Sequence, residues 1–291
     1  MKPSLRIALE WFLNPDHLPL LAARDRLRDS GLDIELIVPD DHYDGFAALA
    51  NGAVELVVNE PLHLVERQDC QLASRGCFFA TDGGVLMHRA ALEGLARGEV
   101  MRIASPVSNP TTDGLCSDIL AGWLARRNVG LADGQITIEP AGFDHVDNLV
   151  AGFDGAWLAF ANVEGVAARM RGLDTVLVTT AEAGVPGFSA LELISLARPS
   201  DDVRAATDRL VEAIDAAIAE LRADPAAARQ LWYEASGEQP SAETDAIVDD
   251  TLPRFVAPVR PDIERWRPMW RYLHQKGGDV VDAETFEAMF R

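Results

Sequence analysis

Short apolar runs alternate with helical patterns along the first 65 or so residues. Residues 5–9 form an apolar run that predicts a strand, and the apolar positions from Leu18 to Leu27 follow the spacing of a helix that ends at Gly31. The pattern continues with a strand at 33–38, a helix at 44–50, a strand at 54–58 and a short helix at 60–67. This order predicts a parallel sheet with right-handed crossovers.

A second alternating region follows and predicts another α/β lobe. Apolar runs within 77–87 are split by Asp82-Gly83-Gly84, and the predicted elements after them are strands at 101–105, 136–139, 156–160, 175–178 and 191–196 with helices at 111–127, 145–152 and 163–171. The chain then becomes helical, at 201–222, 224–234, 241–255, 262–275 and 281–290. The segments near 88–100 and 180–190 contain several glycines and predict short connections.

These elements predict a two-lobed α/β protein with a C-terminal helical segment. We assign residues 1–89 and 186–291 to lobe I and residues 90–185 to lobe II. If the strand at 191–196 returns to the first sheet, the chain crosses between the lobes twice. We therefore expect a hinged arrangement with a ligand cleft between the lobes.

Charge and composition exclude several classes of function. The 291 residues include 46 acidic and 26 basic residues, a net charge of −20 that repels nucleic acid. Lys2 and Lys276 are the only lysines, which disfavours chemistry on a pyridoxal cofactor. Three cysteines without a CxxC spacing argue against a cysteine-based zinc site and indicate a reducing compartment. We predict no cofactor, no metal and no nucleic-acid partner.

The start of the chain predicts neither export nor membrane insertion. Polar residues interrupt the apolar stretch in residues 1–19, and no run reaches the ~18–20 apolar residues of a membrane span. We expect a cytoplasmic protein for the chain as written, and a periplasmic one if an export signal has been removed.

Polar and aromatic residues at strand ends are the candidate ligand contacts, because ligands of α/β folds meet the carboxyl ends of strands. Trp11 would stack on a flat ligand, and His17 and His63 would donate or accept hydrogen bonds near helix starts. The loop before the helix at 111–127 adds Ser105, Ser108, Thr111 and Thr112. Each also has an ordinary structural explanation: core packing for the tryptophan, a buried or surface position for the histidines, and N-capping for the threonines.

Four segments resemble a known family in order and spacing. They are Leu9-Glu10-Trp11 with residues 16–20, then residues 31–35, 51–56 and 223–226. The sequence resembles the fungal thiamine-pyrimidine synthases and their bacterial relatives, the pyrimidine-binding proteins of ABC transporters. The resemblance implies the type 2 periplasmic-binding-protein fold.

The resemblance also implies further site residues and one clear departure. Residues 160–164 are similar to the family's turn bearing a glutamate that pairs with an aminopyrimidine, which implies a ligand role for Glu164 and adds its neighbours Trp157 and Asn162. The lysine that holds pyridoxal phosphate in the synthases corresponds to Asn59, whereas their histidine corresponds to His63. The cysteine-rich iron segment corresponds to residues 183–189, which contain no cysteine.

We therefore expect no synthase reaction, because an asparagine cannot form an imine. The leading hypothesis is a solute-binding protein for a small planar heteroaromatic, similar to a thiamine-pyrimidine precursor, with Asn59 among the ligand-binding residues and an ABC permease as partner. The alternatives are a cytoplasmic enzyme of thiamine-pyrimidine or aromatic metabolism that uses His17 or His63 as acid and base, and a ligand-sensing module without transport.

Overall fold

The computed structural model describes residues 4–39, 43–66, 71–107 and 109–291. It has the type 2 periplasmic-binding-protein fold that the sequence predicts, a mixed α/β architecture with two sheets. The ten strands are β1 (Ser4–Ala8), β2 (Asp33–Ile37), β3 (Leu56–Asn59), β4 (Leu72–Ala80), β5 (Gly83–His88), β6 (Met101–Ser105), β7 (Ile136–Pro140), β8 (Gly155–Phe160), β9 (Thr175–Thr179) and β10 (Ala190–Leu196) among these residues.

Helices connect and follow these strands. Within the described ranges they are α1 (Leu18–Asp29), α2 (Gly45–Ala50), α3 (Pro61–Val65), α4 (Arg89–Ala96), α5 (Pro110–Ala125), α6 (His145–Val150), α7 (Glu164–Met170), α8 (Thr180–Ala183), α9 (Asp201–Ala223), α10 (Pro225–Ser236), α11 (Ala242–Thr251), α12 (Ile263–Gln275) and α13 (Ala283–Ala288). Short 3-10 turns precede α1 at Pro15–His17 and follow α11 at Leu252–Arg254. Of the helices in the described part of the chain, none is both long and apolar enough to cross a bilayer.

The backbone groups into two compact units. The described residues within Met1–Ala80 and Ala190–Arg291 form the first unit, and those within Thr81–Ser189 form the second. The predicted boundary at 89/90 lies nine residues after the first of these, and the one at 185/186 lies four residues before the second. The first differs because β5, which we placed in lobe I, pairs with β8 and β9 in the second sheet.

The first unit is built on the strand order β2-β1-β3-β10-β4. β1 runs parallel to both β2 and β3, as the alternating pattern predicts, whereas β10 enters antiparallel between β3 and β4. The strand at 190–196 therefore does return to the first sheet. Buried side chains of β1, α1 and α9 form its hydrophobic core, with Leu5, Leu18 and Leu210 fully buried.

A buried glutamate lies on β10 in this sheet. Glu192 is directly opposite Asn59 of β3 and has no exposed surface. The Ser74 hydroxyl donates to its Oε1 atom, and the Trp266 indole N–H donates to its Oε2 atom over 2.9 Å. Burial raises the pKa of Glu192 to about 7 despite these two hydrogen bonds. This carboxyl group therefore holds a proton well above the usual range of a glutamic acid.

The second unit is built on the strand order β7-β6-β8-β5-β9, in which β5 is antiparallel to its two neighbours. The register of β5 with β8 shifts beside Gly84, where Leu158 takes a positive φ of 60°. Gly84 itself lies so close to β9 that a Cβ atom would stand 2.0 Å from the carbonyl oxygen of Val178. Glycine is therefore required at this position of the sheet.

Two helices occur where the sequence predicted connections. α4 occupies part of the 88–100 segment, and α8 occupies part of the 180–190 segment. Gly94 lies inside α4 and is buried beside the side chains of Glu99 and Met101, so this glycine does not mark a loop. The predicted helix 241–255 is also shorter, because Pro253 falls in the 3-10 turn that follows α11.

Candidate functional site

Polar side chains cluster where β1 and β3 end in the first unit. The two strands are parallel neighbours, so their carboxyl ends meet at one edge of the sheet. Glu10 follows β1, Asn59 is the last residue of β3, and Glu60 comes directly after it. The Glu60 backbone N–H donates to Glu10 Oε2 over 2.7 Å, which ties the two strand ends together.

His63 joins this cluster from the first turns of α3, a helix that starts at Pro61 with the ring-fixed φ suited to a first helical position. Its Nε2 atom lies 3.2 Å from Glu10 Oε1, and its Nδ1 atom lies 2.8 Å from Glu66 Oε2. Burial disfavours the imidazolium, but the hydrogen bonds to Glu10 and Glu66 outweigh it and hold the pKa of His63 well above its usual value. Both ring nitrogens thus face carboxyl oxygens, an arrangement that favours the imidazolium form.

The two glutamates that follow the strands are buried acids. Glu60 is 4% exposed, and the Glu10 side chain is 10% exposed. Burial raises the pKa of both, for Glu10 against the opposing hydrogen bond and charge of His63, and for Glu60 with a further contribution from the charge of Glu10. Burial therefore disfavours the ionised form of both acids, and an ion or donor that compensates the charge would be favoured beside them.

Two oxygen atoms of the cluster are buried acceptors that meet no donor among the described residues. They are Oδ1 of Asn59, whose residue is 8% exposed, and Oε1 of Glu60. A buried acceptor left without a donor costs about 1–3 kcal/mol, and few native groups are left so. These two atoms are suited to an external donor or a cation.

Trp11 and His17 have different surroundings in the same unit. Trp11 is partly buried and packs against the hydrophobic core, so part of its indole remains accessible. His17 has no exposed surface, and its Nδ1 atom lies 3.2 Å from the Asn14 carbonyl oxygen. Burial lowers the pKa of His17 to about 4, so the ring is neutral at pH 7.

The loop before α5 in the second unit is largely occupied with its own hydrogen bonds. Ser105 is buried and its hydroxyl donates to the Val107 carbonyl. Asn109 caps α5, since its Oδ1 atom accepts from the backbone N–H groups of Thr111 and Thr112, each over 3.0 Å. The backbone N–H groups at the start of α5 are thus already bonded, while the side chains of Thr111 and Thr112 stay exposed or partly exposed. Ser108 lies outside the described residues.

The three candidates near the end of β8 are buried within the second unit. Trp157 is fully buried and packs edge-on against Phe188 with ring centroids 6.2 Å apart, and Asn162 is also fully buried. Glu164 Oε2 accepts from the Phe160 N–H over 2.7 Å, and its Oε1 atom lies 3.7 Å from Nδ1 of His145. Burial raises the pKa of Glu164 against the charge of His145.

The structure thus gathers three glutamates that the sequence analysis did not select, Glu10, Glu60 and Glu66, around His63. Glu60, His63 and Glu66 follow one another at intervals of three residues, a spacing that places them on one face of a helical segment. Glu10 lies two residues after β1, and its acidic side chain beside Trp11 was the available signal. The proximity of these groups depends on the pairing of β1 with β3, which no local pattern reveals.

Comparisons with known proteins place these features in context. A Haemophilus influenzae protein with a proposed role in thiamine biosynthesis is 24% identical over 286 residues, covering 95% of this chain and 88% of that protein. Among solved structures, the ligand-binding component of an ABC-type import system from Staphylococcus aureus, with zinc bound, has a TM-score of 0.69 at 11% identity and covers 99% of this chain and 98% of its own.

A second solved structure is the alkanesulfonate-binding protein SsuA from Xanthomonas axonopodis pv. citri bound to MOPS. It has a TM-score of 0.67 at 18% identity, and the match covers 98% of both chains. At these identities the structural likeness establishes the fold. The NMT1/THI5-like family model matches residues 122–228, which confirms the resemblance of this chain to that family.

Proposed function

We propose that this protein is a solute-binding protein for a small planar heteroaromatic of the thiamine-pyrimidine kind and that it serves an ABC-type importer. The family match and the thiamine-related relative support the class of ligand. The structural neighbours, a ligand-binding component of an ABC-type import system and an alkanesulfonate-binding protein, support the binding role. In the periplasm of a bacterium, such a protein would deliver its solute to a permease.

The observation that carries the proposal is the buried amide oxygen of Asn59 at the end of β3. This acceptor meets no donor among the described residues, and an exocyclic amine of an aminopyrimidine would supply one. Asn59 cannot form the imine that a lysine would, so the solute is held without a covalent bond.

Trp11 supplies the second element of recognition. It follows Glu10 at the end of β1, the strand that pairs with β3, and its indole is only partly buried. A flat ring stacked on an indole gains about 0.5–1.5 kcal/mol beyond the area it buries. Such stacking would select planar solutes, whereas the Asn59 oxygen would select those that carry an amine.

Thermal unfolding with the aminopyrimidine of thiamine tests this proposal. A solute at 100 times its Kd adds about 2.7 kcal/mol to the free energy of unfolding. We expect a clear rise in Tm with the aminopyrimidine and a smaller one with a pyrimidine that lacks the amine.

Two variants separate stacking from general packing. Trp11→Ala should abolish the rise in Tm, whereas Phe12→Ala should keep it, because Phe12 is the neighbouring aromatic and is 49% exposed. An undiminished rise in Trp11→Ala would remove this residue from the site. No rise for any planar heteroaromatic in the wild type would overturn the proposed function.

A further inference from the structure

We propose that Glu10, Glu60 and His63 form a binding site for one divalent transition-metal ion. One potential ligand atom from each of these residues lies within 4.8 Å of the other two. The three residues come from the ends of two paired strands and from the helix that follows them. The sequence predicted no metal, because only the fold brings Glu10 beside the other two.

The donor set suits a metal of the zinc, manganese or iron(II) type. Two carboxylate oxygens and one imidazole nitrogen are common ligands of such ions, at bond lengths of roughly 2.0–2.2 Å. Ligand atoms around one ion at these lengths stand about 3–3.5 Å apart. The 3.2 Å between Glu10 Oε1 and His63 Nε2 falls in that range, and rotation of the Glu60 side chain would bring in the third ligand.

Hydrogen bonds orient two of the three proposed ligands, His63 and Glu10. Glu66 Oε2 lies 2.8 Å from Nδ1 of His63, the arrangement in which a carboxylate holds the outer nitrogen of a metal-binding histidine and leaves Nε2 for the metal. The Glu60 N–H holds Oε2 of Glu10, so that Oε1 is the oxygen turned toward His63. Glu10 and His63 therefore each have a hydrogen-bond partner that fixes the direction of the ligand atom.

The side chain of Glu60 gives an independent reason to expect a ligand. It is 4% exposed, and its Oε1 atom meets no hydrogen-bond partner among the described residues. A buried carboxylate without a partner is costly, and a bound cation removes that cost. His63 keeps part of its side chain exposed, at 38%, which leaves a path for an ion to enter.

This site goes beyond the proposed solute and does not require it. The metal would use Glu10, Glu60 and His63, and it would leave the Asn59 oxygen and the Trp11 ring for the organic molecule. Metal binding and solute binding are therefore measured separately, the first without solute and the second on protein treated with a chelator. The two proposals can then fail independently.

Equilibrium dialysis of the chelator-treated protein against Zn²⁺, followed by metal analysis, tests the site. We expect one equivalent per chain, and a Co²⁺-loaded sample should show the visible absorption of a low-coordinate ion with mixed oxygen and nitrogen ligands. His63→Gln and Glu60→Gln should each weaken binding at least tenfold, and Glu66→Gln should weaken it by about 10–100-fold, the usual range for loss of such an orienting group.

The control is His88→Gln, which removes the histidine at the end of β5 in the second unit and should bind Zn²⁺ as the wild type does. The glutamine variants keep the size of the original side chains, and circular dichroism will verify that they are folded. Absence of stoichiometric Zn²⁺ in the wild type would overturn the proposal. Equal affinity in folded His63→Gln and wild type would do so as well.

Discussion

Glu192 provides the sharpest test of the energetics of the first unit. Its carboxyl group is fully buried between the Ser74 hydroxyl and the Trp266 indole N–H, and its pKa is raised to about 7 by burial. Glu192→Gln replaces it with a neutral group of the same shape. The glutamine oxygen can still accept from Trp266, and its amide can donate to the Ser74 oxygen.

The expected effect follows from the two pKa values of Glu192. The folded protein keeps the proton up to about pH 7, whereas the unfolded chain loses it near 4.5. The stabilisation is therefore fully present below pH 4.5 and is lost as the pH rises toward 7. A difference of some 2.5 pH units corresponds to about 3 kcal/mol, of which about 2–3 kcal/mol falls between pH 5 and pH 8.

Urea unfolding followed by tryptophan fluorescence at pH 5 and pH 8 measures this loss. The free energy of unfolding of the wild type should fall relative to that of Glu192→Gln by about 2–3 kcal/mol as the pH rises. Glu212→Gln, on the exposed side of α9, should follow the wild type at both pH values. If the difference between wild type and Glu192→Gln is the same at both, Glu192 does not hold a proton in the folded state.

Two further predictions concern stability. Gly84→Ala should lower the free energy of unfolding in urea by roughly 1–3 kcal/mol or more, because its Cβ would collide with the Val178 carbonyl. Gly114→Ala is the control: the position has open space around it in α5, and the variant should gain up to about 1 kcal/mol. Equal stability of the two variants would contradict the collision. His17 is buried with its pKa lowered to about 4 from 6.5, so its stabilisation is present above pH 6.5 and is lost as the pH falls toward 4. The wild type should therefore lose about 2–3 kcal/mol relative to His17→Gln between pH 7.5 and 4.5, and parallel curves for the two proteins would show that the ring is not buried in neutral form.

Local patterns predicted the elements that are built on regular periodicity. The alternation of β1, α1 and β2 was predicted to within a few residues, because each element buries one face against the same core. The resemblance added the fold class. α4 was missed since Gly94 and Gly98 were interpreted as signs of a loop, whereas Gly94 is buried inside the helix and Gly98 follows its end.

The site was predicted only in part, for a physical reason. Asn59 and His63 were selected through the resemblance, but the two buried acids beside them carry no local signature, because a glutamate after a strand is most often exposed to water. Only the pairing of β1 with β3 places Glu10 against Glu60 and His63. Trp157, selected as a neighbour of Glu164, has its indole fully buried against Phe188, a packing that no local pattern reveals.

The antiparallel strand β10 has a consequence for biosynthesis. It fills the place between β3 and β4, yet more than a hundred residues separate it from both along the chain. During translation, the edges of β3 and β4 that later pair with β10 therefore stay unpaired while the ribosome makes Thr81–Ser189. That segment contains the strands of the other sheet. The inserted unit can fold first, and the first sheet can close only when the later strand emerges, so the nascent chain depends on protection of those open edges.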